Sequence, residues 1–316
     1  MNDVSTLREG QRVCTRSIQR IGYRSVRRLK AFFLEHHANV FARLFFRCLE
    51  RINASLSPRT IDRPKEAQVE LWKATYFVRF PKPQFVLETE QSVAVSSDDH
   101  KWPRGTLHDN SVNRRFNLKV YDYFNRAPSL SLLDLGCAGG GLVKSFLADG
   151  YTAIGVEGSD ASQRLRSAEW DTIPYHLFTA DITEPFRIIR ADSGAPVKFD
   201  VVTCWEVLEH IPETRLVWLL RNIRHHLTPS GIFVGSVATF PDGNPVTGAV
   251  YHVTLRPRNW WLDRFREQGF VELERIPFET RDYVRGHGMG LRDWDPADGD
   301  GFHLVLKFDR GRLEGG

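Results

Sequence analysis

Two carboxylates and two histidines are the side chains of this sequence whose types and spacing best suit chemistry. Glu206, Glu209 and His210 stand at positions i, i+3 and i+4, so a helix that begins here would place all three on one face. His252 follows further along the chain and would complete the cluster. The four groups suit a divalent cation, Mg²⁺ or Zn²⁺, that polarises a hydroxyl. They also suit metal-free work, with His210 as a base or as a hydrogen-bonded support, and a structural role is the third alternative.

A glycine-rich turn is the second feature with chemical consequences. Residues 132–135 are apolar or acidic, residues 136–141 are rich in glycine, and residues 142–147 read as a helix. A strand, a glycine turn and a helix in this order build a site for a nucleotide-like ligand. Glycine lets the backbone approach the ligand, and the free N–H groups at the helix start face its charged part. Ala138 interrupts the glycines, and it costs nothing if this residue keeps a negative φ.

Acidic residues follow the next two predicted strands. Glu157 lies at the end of one strand, where its carboxylate can accept both hydrogen bonds of a ribose diol. Asp181 follows the other strand, where its carboxylate can accept from an adenine amine while Ile182 packs against the ring. Parallel strands present their carboxyl ends at one edge of a sheet, so we expect these groups to meet the glycine turn there. NAD and S-adenosylmethionine both fit the turn and Glu157.

Alternating strand and helix patterns position these groups from about residue 111 onward. The alternation predicts right-handed crossovers and a parallel, doubly wound α/β sheet with helices on both faces. Two late strand-like runs predict an antiparallel edge. The predicted strands are 130–135, 152–157, 175–178, 199–204, 232–237, 270–275 and 302–308, and the predicted helices include 213–227 and 259–268.

At these positions the chain resembles the class I S-adenosylmethionine-dependent methyltransferases. The resemblance covers residues 112–308 and rests on five runs in order: LDLGCAGG from 133, GVEG from 155, FDVV from 199, WEVLEHIP from 205 and LTPSG from 227. One departure is Ala138, where the family usually has glycine. The resemblance implies a Rossmann-like fold of seven strands and S-adenosylmethionine as the cofactor. The cofactor-binding residues that it implies are Asp134, Gly136, Cys137, Ala138, Gly140, Glu157, Gly158, Asp181, Ile182 and Trp205.

The run from Glu206 to His210 is also similar to two metal-using branches of that family. These are the ubiquinone-biosynthesis O-methyltransferases and the enzymes that methylate the 3′-terminal ribose of small RNAs. In both, a Glu-x-x-Glu-His run is joined by a later histidine, which implies Glu206, Glu209, His210 and His252 as metal ligands and catalytic groups here. Many family members not known to need a metal carry a similar run, so the metal-free alternative stays open.

An oxygen acceptor fits the sequence best. The chain lacks the Asn/Asp-Pro-Pro-Tyr/Phe tetrapeptide with which many amino-methylating enzymes hold a planar nitrogen. We therefore expect methyl transfer to a hydroxyl of a glycan, lipid-linked or specialised-metabolite acceptor. The alternatives are an RNA ribose O-methyltransferase, an NAD-dependent oxidoreductase, and a non-catalytic methyltransferase-like scaffold that binds partners through its N-terminal helix.

The segments that precede residue 111 differ in charge and pattern. Residues 1–53 hold eleven basic and four acidic residues, whereas the net charge of the whole chain is only +4. Their helical period predicts a basic amphipathic extension that packs on the protein, self-associates, or contacts a membrane surface through residues 16–52. Nucleic acid ranks last among its partners. Residues 54–110 contain five prolines and predict an irregular region, either a solvated loop or a lid or substrate wall.

Composition sets the remaining expectations. The four cysteines show no CxxC spacing, and no run of about 18 apolar residues exists, so we expect a cytoplasmic setting without a membrane-spanning helix. Residues 111–316 then form the methyltransferase domain, with a small-molecule or glycan substrate. The sequence predicts no oligomeric state.

Overall fold

The computed structural model describes residues 76, 79–285, 287–288, 292–293 and 300–309. These residues belong to the unit Val69–Gly316. The basic extension predicted for residues 1–53 lies outside the described residues, and so does the membrane contact predicted for residues 16–52. Among the residues that are described, no helix is both long and apolar enough to cross a membrane.

Strands and helices alternate through the described part of the chain. The strands are β1 (Phe85–Thr89), β2 (Ser131–Leu135), β3 (Thr152–Glu157), β4 (Leu177–Thr179), β5 (Phe186–Arg190), β6 (Phe199–Trp205), β7 (Leu227–Ala238), β8 (Gly243–Asn244), β9 (Ala249–Val250), β10 (Phe270–Glu272), β11 (His287–Gly288), β12 (Arg292–Asp293) and β13 (Gly301–Phe308). The α-helices are α1 (Asp98–Lys101), α2 (Arg104–His108), α3 (Arg114–Tyr123), α4 (Gly141–Ala148), α5 (Ala161–Leu165), α6 (Glu213–His226) and α7 (Arg258–Glu267). Single 3₁₀ turns lie at Ala168–Asp171, Leu208–His210 and Thr280–Asp282.

Seven strands form the central sheet in the order β10-β13-β7-β6-β2-β3-β4. The five strands from β7 to β4 run parallel, while β13 lies antiparallel between β7 and β10. The chain order reverses between β2 and β6, and in such sheets a ligand binds in the crevice at the carboxyl ends of those strands. The predicted seven-stranded, doubly wound α/β fold with an antiparallel edge is therefore confirmed.

The sheet is covered on both faces, which explains the apolar strands. All five residues of β2 are buried, as are the last five of β3. One face packs against α6 and α7, through residues such as Leu219 and Phe265. The other packs against α3 and α4, through residues such as Phe116 and Phe146. Each such side chain contributes roughly 1.5–3 kcal/mol by burial, so the strand ends that carry the polar residues are held rigidly.

Two local features differ from the predictions. The irregular region predicted for 54–110 contains β1, which pairs antiparallel with the unpredicted strand β5, and the short helices α1 and α2. The helix predicted to begin at Glu206 does not form. Glu206 adopts a left-handed backbone conformation with φ of 52°, and only the single 3₁₀ turn Leu208–His210 follows before α6.

Candidate active site

A cavity of about 330 Å³ lies at the carboxyl ends of the central strands. This size is in the usual range for small-molecule sites. Most of the predicted site residues line it together, from the ends of β2, β3, β4 and β6. Those residues are Gly136, Ala138, Glu157, Gly158, Asp181, Ile182, Trp205, Glu206 and His210.

Three predicted cofactor residues do not line the cavity. Asp134 accepts a hydrogen bond from the Thr203 hydroxyl at 2.7 Å, and burial raises the pKa of its carboxyl to about 7. The Cys137 side chain is buried toward β3, where a Cβ on Gly155 would lie 2.7 Å from its sulfur. Gly140 is the N-cap residue of α4 and has a φ of 86°. These residues shape the turn from behind, and their predicted contact with a cofactor stays a prediction.

The cofactor half of the cavity is formed by the turn at Gly136 and Ala138 together with Glu157, Asp181 and Ile182. Glu157 is the central acid of this half. Its Oε2 accepts from the backbone N–H of Ala138 at 2.8 Å, and its Oε1 accepts from the N–H of Ser159 and the hydroxyl of Thr106, both at 3.2 Å. Burial raises the pKa of Glu157, although these donors work in the opposite direction. Oε1 accepts two of these hydrogen bonds and Oε2 accepts one, so one lone pair of Oε2 remains to accept from a ligand.

Ala138 does not keep the negative φ that the sequence analysis required. Its φ is 46°, in the left-handed region, and its side chain is almost fully buried. Both of its backbone groups are committed, since the N–H donates to Glu157 and the carbonyl accepts from the Trp170 indole at 2.7 Å. A non-glycine residue in this conformation costs roughly 1–2 kcal/mol. The departure from the family pattern is thus a strained position.

Asp181 and Ile182 lie beside the cavity after β4. Oδ1 of Asp181 accepts from the backbone N–H and the hydroxyl of Thr183, at 2.9 and 2.6 Å, and its Oδ2 lies 3.8 Å from Arg215. The side chain of Ile182 is buried against the main core. Because Oδ1 is engaged by Thr183, an adenine amine would meet this carboxylate at Oδ2.

Glu209, His210 and His252 form a compact acid–histidine cluster beside this cavity. Glu209, His210 and His252 each offer one ligand atom, and these atoms lie within 4.8 Å of one another. The rings of the two histidines are 4.8 Å apart and nearly perpendicular. Glu209 comes from the 3₁₀ turn after β6, and its backbone carbonyl accepts from the N–H groups of Val253 and Thr254, both at 2.9 Å. That anchoring brings the segment that carries His252 to the end of β6.

Glu206 is not part of this cluster. Its left-handed conformation turns the chain before the 3₁₀ turn, so the i, i+3, i+4 relation of a helix does not hold. Its side chain lines the cavity instead, and its backbone N–H donates to the Ser236 hydroxyl at 3.0 Å. The structure thus brings together three of the four residues predicted as metal ligands.

Burial and charge set the electrostatics of the cluster. Glu209 is fully buried, which raises the pKa of its carboxyl to about 7. Burial lowers the pKa of His210, but contact with Asp99 and the charges of Glu209 and Asp99 outweigh it, so the net shift is upward. The pKa of His252 is lowered by burial. The two imidazoles therefore differ in basicity although they are neighbours.

The cluster fits a divalent cation. Oε1 of Glu209 accepts from the N–H of Ala238 at 3.0 Å, while Oε2 is buried without a hydrogen-bond partner in the described part of the chain. Nδ1 of His252 lies 2.6 Å from the carbonyl of Phe240, which directs Nε2 away from that bond. A histidine held through one nitrogen and a buried carboxylate with an unpaired oxygen are typical of a metal site.

Sequence reasoning did not assign roles to two residues of the site. Thr106 donates to Glu157, and Asp99 lies 2.6 Å from Nδ1 of His210. Both belong to residues 94–109, a segment that supplies much of one cavity wall. Within the region predicted as a loop or a lid, residues 97–106 are mostly polar, and this was the available signal. It did not indicate which side chain would meet which partner.

This chain is similar in sequence to known methyltransferases. The family model described as a methyltransferase domain matches residues 108–284. Ubiquinone biosynthesis O-methyltransferase of Pseudomonas syringae pv. tomato is 31% identical over 168 residues, which are 51% of this chain and 65% of that protein. The protein of the same name from Pseudomonas paraeruginosa is 30% identical over 169 residues, 52% of this chain and 66% of that protein. The chain thus spans slightly less than two thirds of the length of these relatives.

One solved structure with a similar chain path is a TehB-like SAM-dependent methyltransferase from Corynebacterium glutamicum. It is 18% identical, and the match covers 66% of this chain and 95% of that chain. The TM-score is 0.41, which is too low to support an inference.

Proposed function

We propose that this chain is an S-adenosylmethionine-dependent methyltransferase that methylates a hydroxyl oxygen of a small-molecule acceptor. The chain belongs to the methyltransferase domain family. Glu209, His210 and His252 beside the cofactor cavity are the observation that carries the proposal. A sulfonium methyl group is already activated, so the enzyme's task is to align the acceptor and remove its proton. The family membership does not favour the RNA-methylating, NAD-dependent or scaffold alternatives.

The cofactor half would hold the donor. Glu157 would accept from the ribose, Asp181 from the adenine amine, and Ile182 would pack against the ring. The turn at Gly136 and Ala138 would face the methionine part of the ligand. Fixing two reactants in line is worth up to about 7–11 kcal/mol of the barrier, so this positioning is a large part of the catalysis.

The acid–histidine cluster would act on the acceptor. Glu209, His210 and His252 would hold a divalent cation, which supplies Lewis-acid polarisation of the acceptor hydroxyl when bound. Glu209 contributes a carboxylate without competing donors on Oε2. Glu206 lines the cavity and is left to contact the substrate. Two findings support an oxygen acceptor: the chemistry of the cluster, and the names of the two relatives, both O-methyltransferases.

The cavity rim favours an acceptor with an apolar part. Val250 and Val253 line the cavity and are 53% and 46% exposed. An apolar part of the acceptor would bury these two side chains on binding. Within the predicted classes, this favours a lipid-linked or specialised-metabolite hydroxyl over a glycan. A cytoplasmic setting, with membrane contact through residues 16–52, stays a prediction from the sequence.

A labelled-methyl assay on the full chain tests the proposal. The acceptors would be phenols and alcohols with and without an apolar chain, simple sugars and a primary amine. We expect transfer to a hydroxyl oxygen, with the chain-bearing hydroxyl compounds the best substrates. Removal of metals by EDTA should abolish transfer, and Mg²⁺, Mn²⁺ or Zn²⁺ should restore it. Transfer to the amine alone would contradict the oxygen acceptor, and full activity after EDTA would contradict the cation.

A further inference from the structure

We infer that Asp99 is a positioning residue that fixes the orientation and tautomer of His210. The inference rests on the proposed function of the acid–histidine cluster and goes beyond it, because Asp99 is far from that cluster in sequence and is not one of its proposed cation ligands. Oδ2 of Asp99 is 2.6 Å from Nδ1 of His210. The His210 side chain is only 19% exposed, and that of Asp99 is 36% exposed, so the contact is partly shielded from water.

The position of Asp99 is set by contacts on both sides of its helix. The hydroxyl of Ser97 caps α1 by accepting from the N–H of Asp99 at 3.2 Å. Upstream, the N–H of Ala94 donates to the carbonyl of Gly158 at 2.9 Å, which ties the segment to the end of β3. On the other side, Oδ2 of Asp98 accepts from the N–H of Val250 at 3.2 Å. α1 is therefore held between the cofactor half and the segment that carries His252.

The contact decides which ring nitrogen of His210 carries the proton. A neutral imidazole has one N–H and one lone pair, and a carboxylate beside Nδ1 favours the tautomer with the proton on Nδ1. Nε2 then keeps its lone pair for the acceptor or a cation. His252 is oriented by a hydrogen bond between its Nδ1 and the Phe240 carbonyl, at 2.6 Å. The contact between Asp99 and His210 is a close ion-pair contact, because Nδ1 of His210 has no aligned hydrogen-bond partner among the described residues. The two histidines are thus approached at the same ring atom, one by a carboxylate and one by a backbone carbonyl.

A carboxylate in this position raises the ligand strength of the imidazole. Loss of such an outer partner of a metal-bound histidine typically weakens metal binding or activity about 10–100-fold. Asp99 would therefore affect the metal without touching it. The effect separates Asp99 from a residue that merely supports the fold, because removal of a fold support would not change the tautomer of one ring.

The tautomer of His210 is the direct test. In the full chain labelled with ¹⁵N-histidine, long-range ¹H–¹⁵N spectra recorded at a pH where the ring is neutral distinguish the two tautomers. A His210→Gln variant assigns the signals. We expect the Nδ1–H tautomer in the wild type, a shift toward the Nε2–H tautomer in Asp99→Ala, and no change in Lys101→Ala, which removes an exposed charge from the same helix.

Calorimetric titration with Mn²⁺ alone gives a second readout without turnover. Asp99→Ala should weaken Mn²⁺ binding about 10-fold. Asp99→Asn, which keeps an acceptor oxygen for the ring N–H but loses the charge, should preserve the tautomer and weaken binding less. Unchanged binding of S-adenosylhomocysteine shows that each variant is folded.

The outcomes separate this inference from the proposed function. An unchanged tautomer in Asp99→Ala, or the Nε2–H tautomer in the wild type, overturns the role of Asp99. A wild type that binds no Mn²⁺ contradicts the cation of the proposed function, while the spectra still decide whether Asp99 sets the tautomer. Loss of the Nδ1–H tautomer in both Lys101→Ala and Asp99→Ala would show that α1 acts through its fold and would also overturn the inference.

Discussion

The two halves of the site satisfy their buried carboxylates in different ways. In the cofactor half, both oxygens of Glu157 accept hydrogen bonds, two of them from backbone N–H groups of the adjoining turns. In the acid–histidine cluster, Glu209 keeps one oxygen without a partner among the described residues. The first arrangement is complete as a piece of protein structure. The second leaves one carboxylate oxygen for the cation of the proposed function.

The two halves also differ in how far along the chain their contacts reach. Glu157 and Asp181 are held largely by residues two to four positions past a strand end. His210 is held by Asp99, and Glu209 by Ala238. The cofactor half is thus a local consequence of the strands, whereas the cluster requires distant segments to meet. We expect mutations in the two halves to separate donor binding from acceptor chemistry.

Glu209→Gln should have the largest effect. The amide keeps an oxygen to accept from the N–H of Ala238, so the fold is preserved, but the charge beside the two histidines is lost. We expect kcat to fall about 10³-fold, within the range for groups that handle an acceptor proton, with the Kd for S-adenosylmethionine unchanged. Labelled-methyl transfer measures the first and calorimetry the second.

Glu213→Gln is the matched control for that prediction. Glu213 lies at the start of α6 and pairs with Arg256 at the surface, at 2.6 Å. It should show wild-type transfer. A Glu209→Gln enzyme as active as this control would remove the acceptor role from the cluster and erase the proposed difference between the halves.

Glu157→Ala should give the opposite pattern. Loss of a charge-assisted hydrogen bond to the ribose is worth about 1.5–3 kcal/mol, which corresponds to roughly 10–100-fold weaker S-adenosylmethionine binding. At saturating cofactor, kcat should fall much less than in Glu209→Gln. Glu88 lies on β1 and is an exposed partner of Arg187, so Glu88→Ala should bind S-adenosylmethionine with wild-type affinity. Equal affinity in the two variants would show that Glu157 does not contact the cofactor.

Asp134→Asn should change how stability depends on pH. Burial raises the pKa of Asp134 to about 7 from an ordinary 3.8, so the folded protein binds a proton that the unfolded chain has lost. The contribution of this group to the free energy of unfolding is present at acid pH and is lost as the pH rises through about 7. Between pH 5 and 7 the loss is about 2 kcal/mol.

Asp134→Asn keeps an acceptor for Thr203 and lacks this titration. Its free energy of unfolding, measured with urea, should therefore rise relative to the wild type by about 2 kcal/mol from pH 5 to 7. Asp263→Asn, on the exposed side of α7, should run parallel to the wild type. Parallel curves for Asp134→Asn as well would mean that this carboxyl is ionised in the fold.

The sequence predicted the sheet and most of the cofactor half because both depend on local pattern. The predicted strand 152–157 matches β3, and the helix predicted at 213–227 matches α6 to within one residue. Buried parallel strands read as continuous apolar runs, and the polar residues that follow them must then meet at one edge. The strand β5 was missed because it does not read as a continuous apolar run. It lies outside the central sheet, and its buried residues alternate with more exposed ones.

The acid–histidine cluster could be predicted only as a set of residue types, without their arrangement. A helical spacing suggested that Glu206, Glu209 and His210 share a face, but the left-handed conformation of Glu206 prevents a helix there. The contact between Asp99 and His210 joins residues far apart in sequence, and no local pattern specifies it. Which side chain of a polar loop meets which histidine depends on tertiary packing.

Ala138→Gly is the smallest change and tests whether the strain of the cofactor half serves binding. Relief of the left-handed conformation is worth roughly 1–2 kcal/mol, and the extra freedom of glycine in the unfolded chain removes about 0.4–1 kcal/mol of it. We therefore expect the free energy of unfolding to rise by about 0.5 kcal/mol. Ala153→Gly, in the extended and fully buried strand β3, should instead lower it by about 1 kcal/mol.

The affinity of Ala138→Gly for S-adenosylmethionine decides what the alanine is for. If the methyl group only occupies space behind the hydrogen bonds to Glu157 and Trp170, affinity stays at the wild-type value, because glycine preserves both backbone contacts. Weaker binding would mean that the alanine restricts the turn to its binding conformation. In that case the strain at Ala138 contributes to cofactor binding, and the hydrogen bonds to Glu157 do not by themselves fix the conformation of the turn.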